Sequence, residues 1–239
     1  MTTLAPLQTA FFSETGSRPR NEDRLFVQQV DAETMLLAVA DGMGGGSAGD
    51  LAAQLAVDTL AAVAPGAGEE EPQLPALIQA ANERILAEAG RRGLPDMGTT
   101  LTVALVAGDE LIWAHVGDSR LYLFRRGDLR QLTPDQNAAG RLVAAGRLTP
   151  AEARISPYRH LLEQCAGCGS CRPDRGRIAL QSGDLLLLAT DGLTGELSDE
   201  AIAACLRQRT DLEQAARNLV AAALAQGGHD NVTVILAAV

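Results

Sequence analysis

The chain has 239 residues, 46% of them hydrophobic, which is long and apolar enough for one sizeable core, and a single domain over 1–239 is expected. All 20 basic residues are Arg, so there can be no Walker-type phosphate loop, no kinase ATP-anchoring Lys and no Schiff-base amine. The 30 acids bring the net charge to −10, with no basic stripe for nucleic acid, no apolar run of membrane-spanning length and no leader-like start, so the sequence predicts a soluble, cytoplasmic protein.

Short apolar or β-forming runs at 7–13, 25–30 and 35–40 predict three strands, and the Ala/Leu-rich stretch 47–63 predicts a helix with Ser47 as its N-cap. A loop containing Pro65, Gly66, Gly68 and Pro72 leads to a second helical pattern, in which Leu74, Leu77, Ile78, Ala81, Ile85 and Leu86 keep helical spacing and Gly90 and Gly93 mark the end. The period then changes to that of strands at 99–107, 110–116, 120–125 and 129–132. The links between them are so short that a meander of antiparallel neighbours is predicted. The polar segment 134–174 reads as an insertion over the surface, with short helices at 138–145 and from Thr149 and Pro150. Strands at 177–180, 185–190 and 232–239 and helices at 198–208 and 212–226 complete an α+β fold. Its expected architecture is a four-layer α/β/β/α sandwich, two packed antiparallel sheets flanked by helix pairs.

Three carboxylates share one context: Asp41-Gly42 and Asp191-Gly192 end apolar runs, and Asp230-Asn231 precedes one. Asp-Gly and Asp-Asn are ordinary turn dipeptides, but a buried anion is costly unless it is paired or metal-bound. The Gly-rich stretch after Asp41 cannot serve as the second strand of a hairpin, and it suits close approach of backbone to a ligand. Asn21-Glu22-Asp23 and Gly117-Asp118-Ser119-Arg120 add further acids. Several carboxylates with no Lys to neutralise them point to oxygen-bound Mg²⁺ or Mn²⁺, whereas zinc is disfavoured because His115, His160 and His229 are scattered.

In order, the chain shows Arg18-x-x-Asn21-Glu22-Asp23, Val39-Ala-Asp41-Gly42-Met43-Gly44-Gly45, Met97-Gly98-Thr99-Thr100-Leu101, His115-Val-Gly117-Asp118-Ser119-Arg120, Leu132-Thr133-Pro-Asp135, Ala189-Thr-Asp191-Gly192-Leu193 and Gly228-His-Asp230-Asn231-Val232-Thr233. Over nearly its whole length it resembles the metal-dependent serine/threonine protein phosphatases of the PPM (type 2C) class in their compact bacterial form. The resemblance implies two Mn²⁺ or Mg²⁺ ions bridged by Asp41. Asp191 and Asp230 would complete the first ion's ligands, Glu22 and the Gly42 carbonyl would serve the second, and Asp118 with Asp191 would form a third position. Asp23 would hold metal-bound water from behind, Arg18 would bind the phosphate, and Asn231 and Ser119 would shape their loops.

The reaction so implied is hydrolysis of phosphoserine and phosphothreonine in proteins by a hydroxide bridging the two ions, opposing a bacterial Ser/Thr kinase, in a monomer with no nucleic-acid or membrane partner. The alternative from another class is a catalytically weak phosphatase-like module that binds phosphoproteins or a regulatory partner. A degenerate module would be expected to lose acids, and Glu22, Asp41, Asp118, Asp191 and Asp230 all stand in place. The chain departs from the family where a His commonly follows the Asp-Gly. Met43 and Gly46 occupy those positions, so no general acid is identified.

Residues 135–174 correspond to the flap of the bacterial members and contain Cys165-x-x-Cys168-x-x-Cys171. Three readings stay open: reduced thiols on a flexible loop, a zinc or iron-sulfur site with His160 or Cys205 as a further ligand, or a redox switch in which oxidation lowers activity.

Overall fold

In the computed structural model the described residues are 7–45, 47–63 and 74–239; Gly46 and the loop with Pro65, Gly66, Gly68 and Pro72 lie outside them. The chain opens with β1 (Gln8–Glu14), β2 (Asp23–Gln29) and β3 (Thr34–Met43), followed by α1 (Ala48–Val63) and α2 (Leu74–Arg92). Five strands come next: β4 (Gly98–Thr99), β5 (Leu101–Ala107), β6 (Glu110–Val116), β7 (Arg120–Arg125) and β8 (Asp128–Gln131). The insertion carries α3 (Ala138–Ala144), α4 (Pro150–Ile155) and a 3-10 helix (Pro157–His160). The chain then runs through β9 (Asp174–Ala179), β10 (Leu185–Ala189), α5 (Asp191–Thr194), α6 (Asp199–Arg207), α7 (Leu212–Gln226) and β11 (Val232–Ala238).

Two antiparallel sheets result. One has the order β1-β11-β10-β7-β8, and the other has β2-β3-β5-β6-β9 with β4 added on β3. Both sides of each sheet are covered, which is why its central strands read as unbroken apolar runs. Along β3, Met35, Leu37 and Val39 pack against the other sheet while Leu36, Ala38 and Ala40 pack under α1 and α2. Along β10, Leu186 and Leu188 face the first of these layers, and Leu185, Leu187 and Ala189 pack under α6 and α7. The four leucines Leu185 to Leu188 are fully buried, a contribution of roughly 1.5–3 kcal/mol each. Among the described residues no helix is long and apolar enough to cross a membrane.

The predicted meander is broken. The β5–β6 and β7–β8 pairs are hairpins, but β6 and β7 lie in different sheets, so the three-residue link 117–119 carries the chain across the sandwich. Gly117 permits this with φ 112, and a Cβ there would meet the Thr100 side chain at 2.6 Å. A short link need not join neighbours in one sheet when the next strand begins in the sheet stacked above.

Three smaller expectations also change. Gly90 does not end α2, which continues to Arg92 and closes at Gly93 (φ 68), where Leu94 N–H donates to the Ala89 carbonyl. β3 does not stop before Asp41, because β4 pairs with its end, Gly42 opposite Thr99 and Met43 opposite Gly98. Nor is the insertion wholly superficial: Cys165 and Ala166 are buried, and Ala166 exchanges both backbone hydrogen bonds with Thr99.

Candidate active site

One edge of the sandwich gathers the acids. Asp41 lies in the extension of β3, paired with Asp23 of β2; Asp118 occupies the sheet-crossing link; Asp191 opens α5 directly after β10; and Asp230 precedes β11. Arg18, Glu22, Asp41, Gly42, Asp118, Asp191 and Asp230 together line one cleft of about 400 Å³. Residues separated by more than two hundred positions thus meet because ends of β2, β3, β10 and β11 and the β6–β7 link share that edge. Asp23 alone of the predicted set does not line the cleft. It is 4% exposed, behind Asp41, and accepts a hydrogen bond from Thr190 Oγ1 at 2.8 Å.

Glycines set how closely these backbones approach. A Cβ on Gly42 would run into the Gly49 carbonyl and lie 2.7 Å from the Glu22 carbonyl, so α1 and the β2 entry can press against Gly42 only because it has no side chain.

The electrostatics are those of crowded like charges. Burial, then repulsion by Asp23, Asp191, Asp118 and Asp230, holds the Asp41 carboxyl well above its ordinary pKa. Burial followed by Asp191 pushes Asp118 up to about 8, although Asn137 Nδ2 donates to its Oδ2 at 3.0 Å. Asp23 is pushed up to about 7, mainly by burial. Asp191 is raised by burial and by Asp230, partly offset by a hydrogen bond with Asp41. Glu22 is raised by burial, with Arg18 opposing. One buried oxygen on Asp191 and one on Asp23, Oδ1 in each case, has no hydrogen-bond partner.

Arg18 supplies the facing positive charge. Its Nη2 donates to Asp230 Oδ2 at 2.7 Å and its Nε to the His229 carbonyl at 3.2 Å, while the side chain stays 56% exposed.

The donor set suits a hard divalent cation: five carboxylates and a strand-end carbonyl, all oxygen, with one buried carboxylate oxygen unsatisfied. Among the described residues no three acidic, His or Cys side chains already converge as a closed ligand cage. They stand around the cleft wall. Glu22, Asp41, Asp118, Asp191, Asp230 and the Gly42 carbonyl are the groups that could hold metal there.

A family model described as protein phosphatase 2C matches residues 14–227. The chain belongs to the protein phosphatase 2C family. It is 41% identical over 224 residues to the serine/threonine protein phosphatase PstP of Mycobacterium tuberculosis, covering 92% of this chain but 42% of that protein, so it spans less than half of that relative's length. It is 32% identical over 237 residues to the protein phosphatase PhpP of Streptococcus pneumoniae, covering 96% of each. In three dimensions it is similar to the phosphatase Stp1 from Staphylococcus aureus, with a TM-score of 0.91 at 32% identity over 100% of this chain and 97% of that one. It is also similar to the catalytic domain of PstP, a structure in complex with two manganese ions, with a TM-score of 0.83 at 38% identity over 98% of each chain.

The sequence alone gives Thr100, Arg20 and Leu162 no role at this phosphatase 2C cleft, and it offers His160 only as a ligand beside the flap cysteines. Thr100 lines it, and its Oγ1 accepts from the Asp41 N–H at 2.9 Å and shares a hydrogen bond of 2.8 Å with Ser119 Oγ, so one hydroxyl ties the Asp41 strand to the Asp118 link. Arg20, His160 and Leu162 also border it. A Thr beside another Thr in a strand carries no local signal of this; only the sheet crossing brings Ser119 to it. The three imidazoles separate cleanly. His115 is fully buried, held to a pKa of about 4 mainly by burial, and bonded to Thr102 and the Pro134 carbonyl; His229 Nδ1 lies 2.7 Å from Glu196; His160 borders the cleft.

Thr100→Val keeps the shape but leaves the Asp41 N–H without its acceptor, at a cost of about 1–3 kcal/mol. Urea denaturation is expected to show that loss, and an unchanged midpoint would mean that the Asp41 backbone is held by other contacts.

Proposed function

We propose that this chain is a metal-dependent protein phosphatase that hydrolyses phosphoserine and phosphothreonine esters in proteins, opposes a Ser/Thr kinase, and works as a cytoplasmic monomer with no nucleic-acid or membrane partner. The observation that carries the reading is the convergence of five carboxylates from distant segments on one cleft with Arg18 at its mouth. The two-manganese structure of a 38%-identical relative supports Mn²⁺ or Mg²⁺ as the ions.

Asp41, Asp191 and Asp230 would hold one ion and Glu22, Asp41 and the Gly42 carbonyl the other, with Asp118 and Asp191 offering a third position. Such ions, when bound, lower the pKa of water and offset charge on phosphate oxygens. Arg18 positions the substrate: its guanidinium can donate two parallel hydrogen bonds to a phosphate. Its present partner does not oppose that move. An ion pair with Arg18 56% exposed is worth little, and releasing it frees Asp230 Oδ2 at the same time. Asp23 keeps the far side of Asp41 polar, fixed by Thr190 and by its own N–H donating to Asn21 Oδ1 at 3.0 Å. Asn231 has its amide fully engaged, accepting from Glu22 N–H and donating to the Thr15 and Arg20 carbonyls, each at 2.8 Å, so it fastens the Arg18 to Glu22 loop to the Asp230 turn.

The test is phosphate release from a phosphothreonine peptide with Mn²⁺ and with chelator. Release with Mn²⁺ alone is the expected result. Release undiminished by chelator overturns the metal requirement, and peptide binding without release under every metal condition favours the phosphoprotein-binding module instead.

A further inference from the structure

The cysteine motif in the flap is not used by the proposed chemistry, and the structure gives it a definite place. Cys165 and Cys168 are disulfide-paired, Cα atoms 5.4 Å apart, while Cys171 and Cys205 are free. Neither thiols on a loose loop nor a metal cage describes this: Cys165 is 2% exposed, and no ligand group with His160 or Cys205 forms among the described residues.

The pair bears on the back of the site. A Cβ on Gly98 would lie 2.9 Å from Cys168 Sγ and 3.3 Å from Cys165 Sγ, so the disulfide packs directly on β4. Gly167 is equally confined, since a Cβ there would stand 2.6 Å from the Met97 carbonyl and 3.1 Å from Gly98 Cα. Its N–H donates to Asn82 Oδ1 of α2 at 2.9 Å, and Gln79 Nε2, also of α2, donates to the Cys171 carbonyl at 2.9 Å. From β4 the contacts continue into the cleft. Thr99 and Ala166 exchange backbone hydrogen bonds of 2.9 Å, Thr99 Oγ1 donates to the Asp41 carbonyl at 2.8 Å, Thr100 N–H donates to the same carbonyl at 2.9 Å, and Gly42 pairs with Thr99.

We propose that the Cys165–Cys168 pair is a redox-sensitive brace for the metal-binding end of β3: oxidised, it seats the 165–168 loop on Gly98 and Thr99 and so holds the Asp41 and Gly42 backbone in place; reduced, it lets that end loosen. The direction is opposite to the expectation that oxidation lowers activity, because the pair lies behind the strand as a support and not across the cleft as a cover.

The chemistry is ordinary dithiol exchange. A thiolate of a dithiol reductant attacks Cys168 Sγ, the more exposed of the two. The S–S bond breaks with its electron pair on Cys165, which takes a proton. The reductant's second thiolate then attacks the mixed disulfide, Cys168 leaves and is protonated, and the reductant departs as a disulfide, so two electrons and two protons have entered the protein. In the return step a Cys168 thiolate attacks a hydroperoxide, forming a sulfenic acid and releasing hydroxide or alkoxide. Cys165 displaces the sulfenic oxygen as water to re-form the disulfide. Cys171 is not the exchange partner, for burial pushes its thiol up to about 11 and leaves little thiolate. In a reducing compartment the brace is open at rest and closes under oxidant.

The effect on metal binding rests on the phosphatase reading; the brace itself does not. The 239-residue chain is prepared with a dithiol reductant and, separately, with dilute hydrogen peroxide, and metal-free hydrogen exchange is followed at the Thr99 and Thr100 amides. Reduction is expected to speed their exchange about tenfold and to raise the Mn²⁺ concentration for half-saturation, read by the Mn²⁺ electron paramagnetic resonance signal, by about tenfold, the usual effect of losing an outer-sphere support. Cys168→Ser should hold the reduced behaviour under both treatments, and Cys171→Ser should respond like the parent. Peptide mapping that finds no 165–168 disulfide after peroxide, or exchange at Thr99 and Thr100 that is equal in the two states, overturns the brace. Unequal exchange with no Mn²⁺ binding in either state preserves the brace and overturns the metal reading.

Discussion

Asp41→Asn is expected to lower Mn²⁺-dependent turnover of a phosphothreonine peptide by about 10³-fold, the scale set by removing one preorganised charge-stabilising group, while making the metal-free protein more stable. Both effects come from one observation. Asp41 is the carboxylate on which the others converge: its pKa is held well up by burial and then by Asp23, Asp191, Asp118 and Asp230. Asn is nearly isosteric and keeps the backbone bonds to Thr99 and Thr100, but it removes the negative charge that would bridge two ions. Without metal the same substitution relieves repulsion, so a gain of about 1 kcal/mol in unfolding free energy is expected, a trade of stability against function common at active sites. Thermal unfolding in chelator beside a peptide assay in Mn²⁺ reads both numbers. A variant that keeps more than a tenth of parent turnover would falsify the central role of Asp41. A variant destabilised in chelator would mean that the carboxylate is held by favourable contacts and not by default.

Chelated protein should lose stability as pH rises from about 4 to 8, and divalent cation should remove most of that loss. Asp23 and Asp118 have pKa values raised from 3.8 to about 7 and about 8, with burial the leading cause in both. An acid with a higher pKa in the folded state binds its proton more tightly there, so folding takes up protons and stability falls with rising pH. The stabilising contribution is whole below the unfolded value and is gone once pH passes the folded value. For Asp23 the window therefore closes near 7 and for Asp118 near 8. Bound Mn²⁺ acts in the opposite sense, favouring the ionised acids, and at a free concentration a hundred times its dissociation constant each site adds about 2.7 kcal/mol. For a chain of this length that is roughly 5–10 °C in Tm per site. Scanning calorimetry at pH 5 and pH 8, each with chelator and with Mn²⁺, gives the four values needed. A chelated Tm that rises between pH 5 and pH 8 would overturn the crowded-acid description of the cleft.

Much of this site is legible in the sequence. Asp41 and Asp191 announce themselves because an apolar run that ends in Asp-Gly puts a carboxylate where a buried strand meets a loop. Asp118 could be named from its motif, yet the local pattern placed it in a meander turn, and it sits instead on the crossing between sheets. Apolar periodicity reports that a residue is in a strand and which way its neighbours alternate. It does not report which sheet the strand joins. Thr100 stands in one of the quoted motifs, but its role there is not legible for the same reason, since its partners Asp41 and Ser119 are 59 and 19 residues away.

The cysteines show the limit from another side. Spacing alone leaves thiols, metal and redox chemistry open, and the close packing of residues 165–168 on Gly98 is visible only in three dimensions.

The sequence by itself determined the elements, the absence of Lys chemistry, and the identity of the acids, because each depends on residue type and on neighbours within a few positions. Only the tertiary structure decided that five of those acids share one cleft with Arg18 and Gly42, that Arg18 is held by Asp230, that Asp23 stands behind and not within, and that the Cys165–Cys168 pair packs on Gly98 of β4. Those relations depend on how two sheets stack and on where the chain crosses between them, and a stacking contact joins residues that are remote in sequence, so no local pattern carries it.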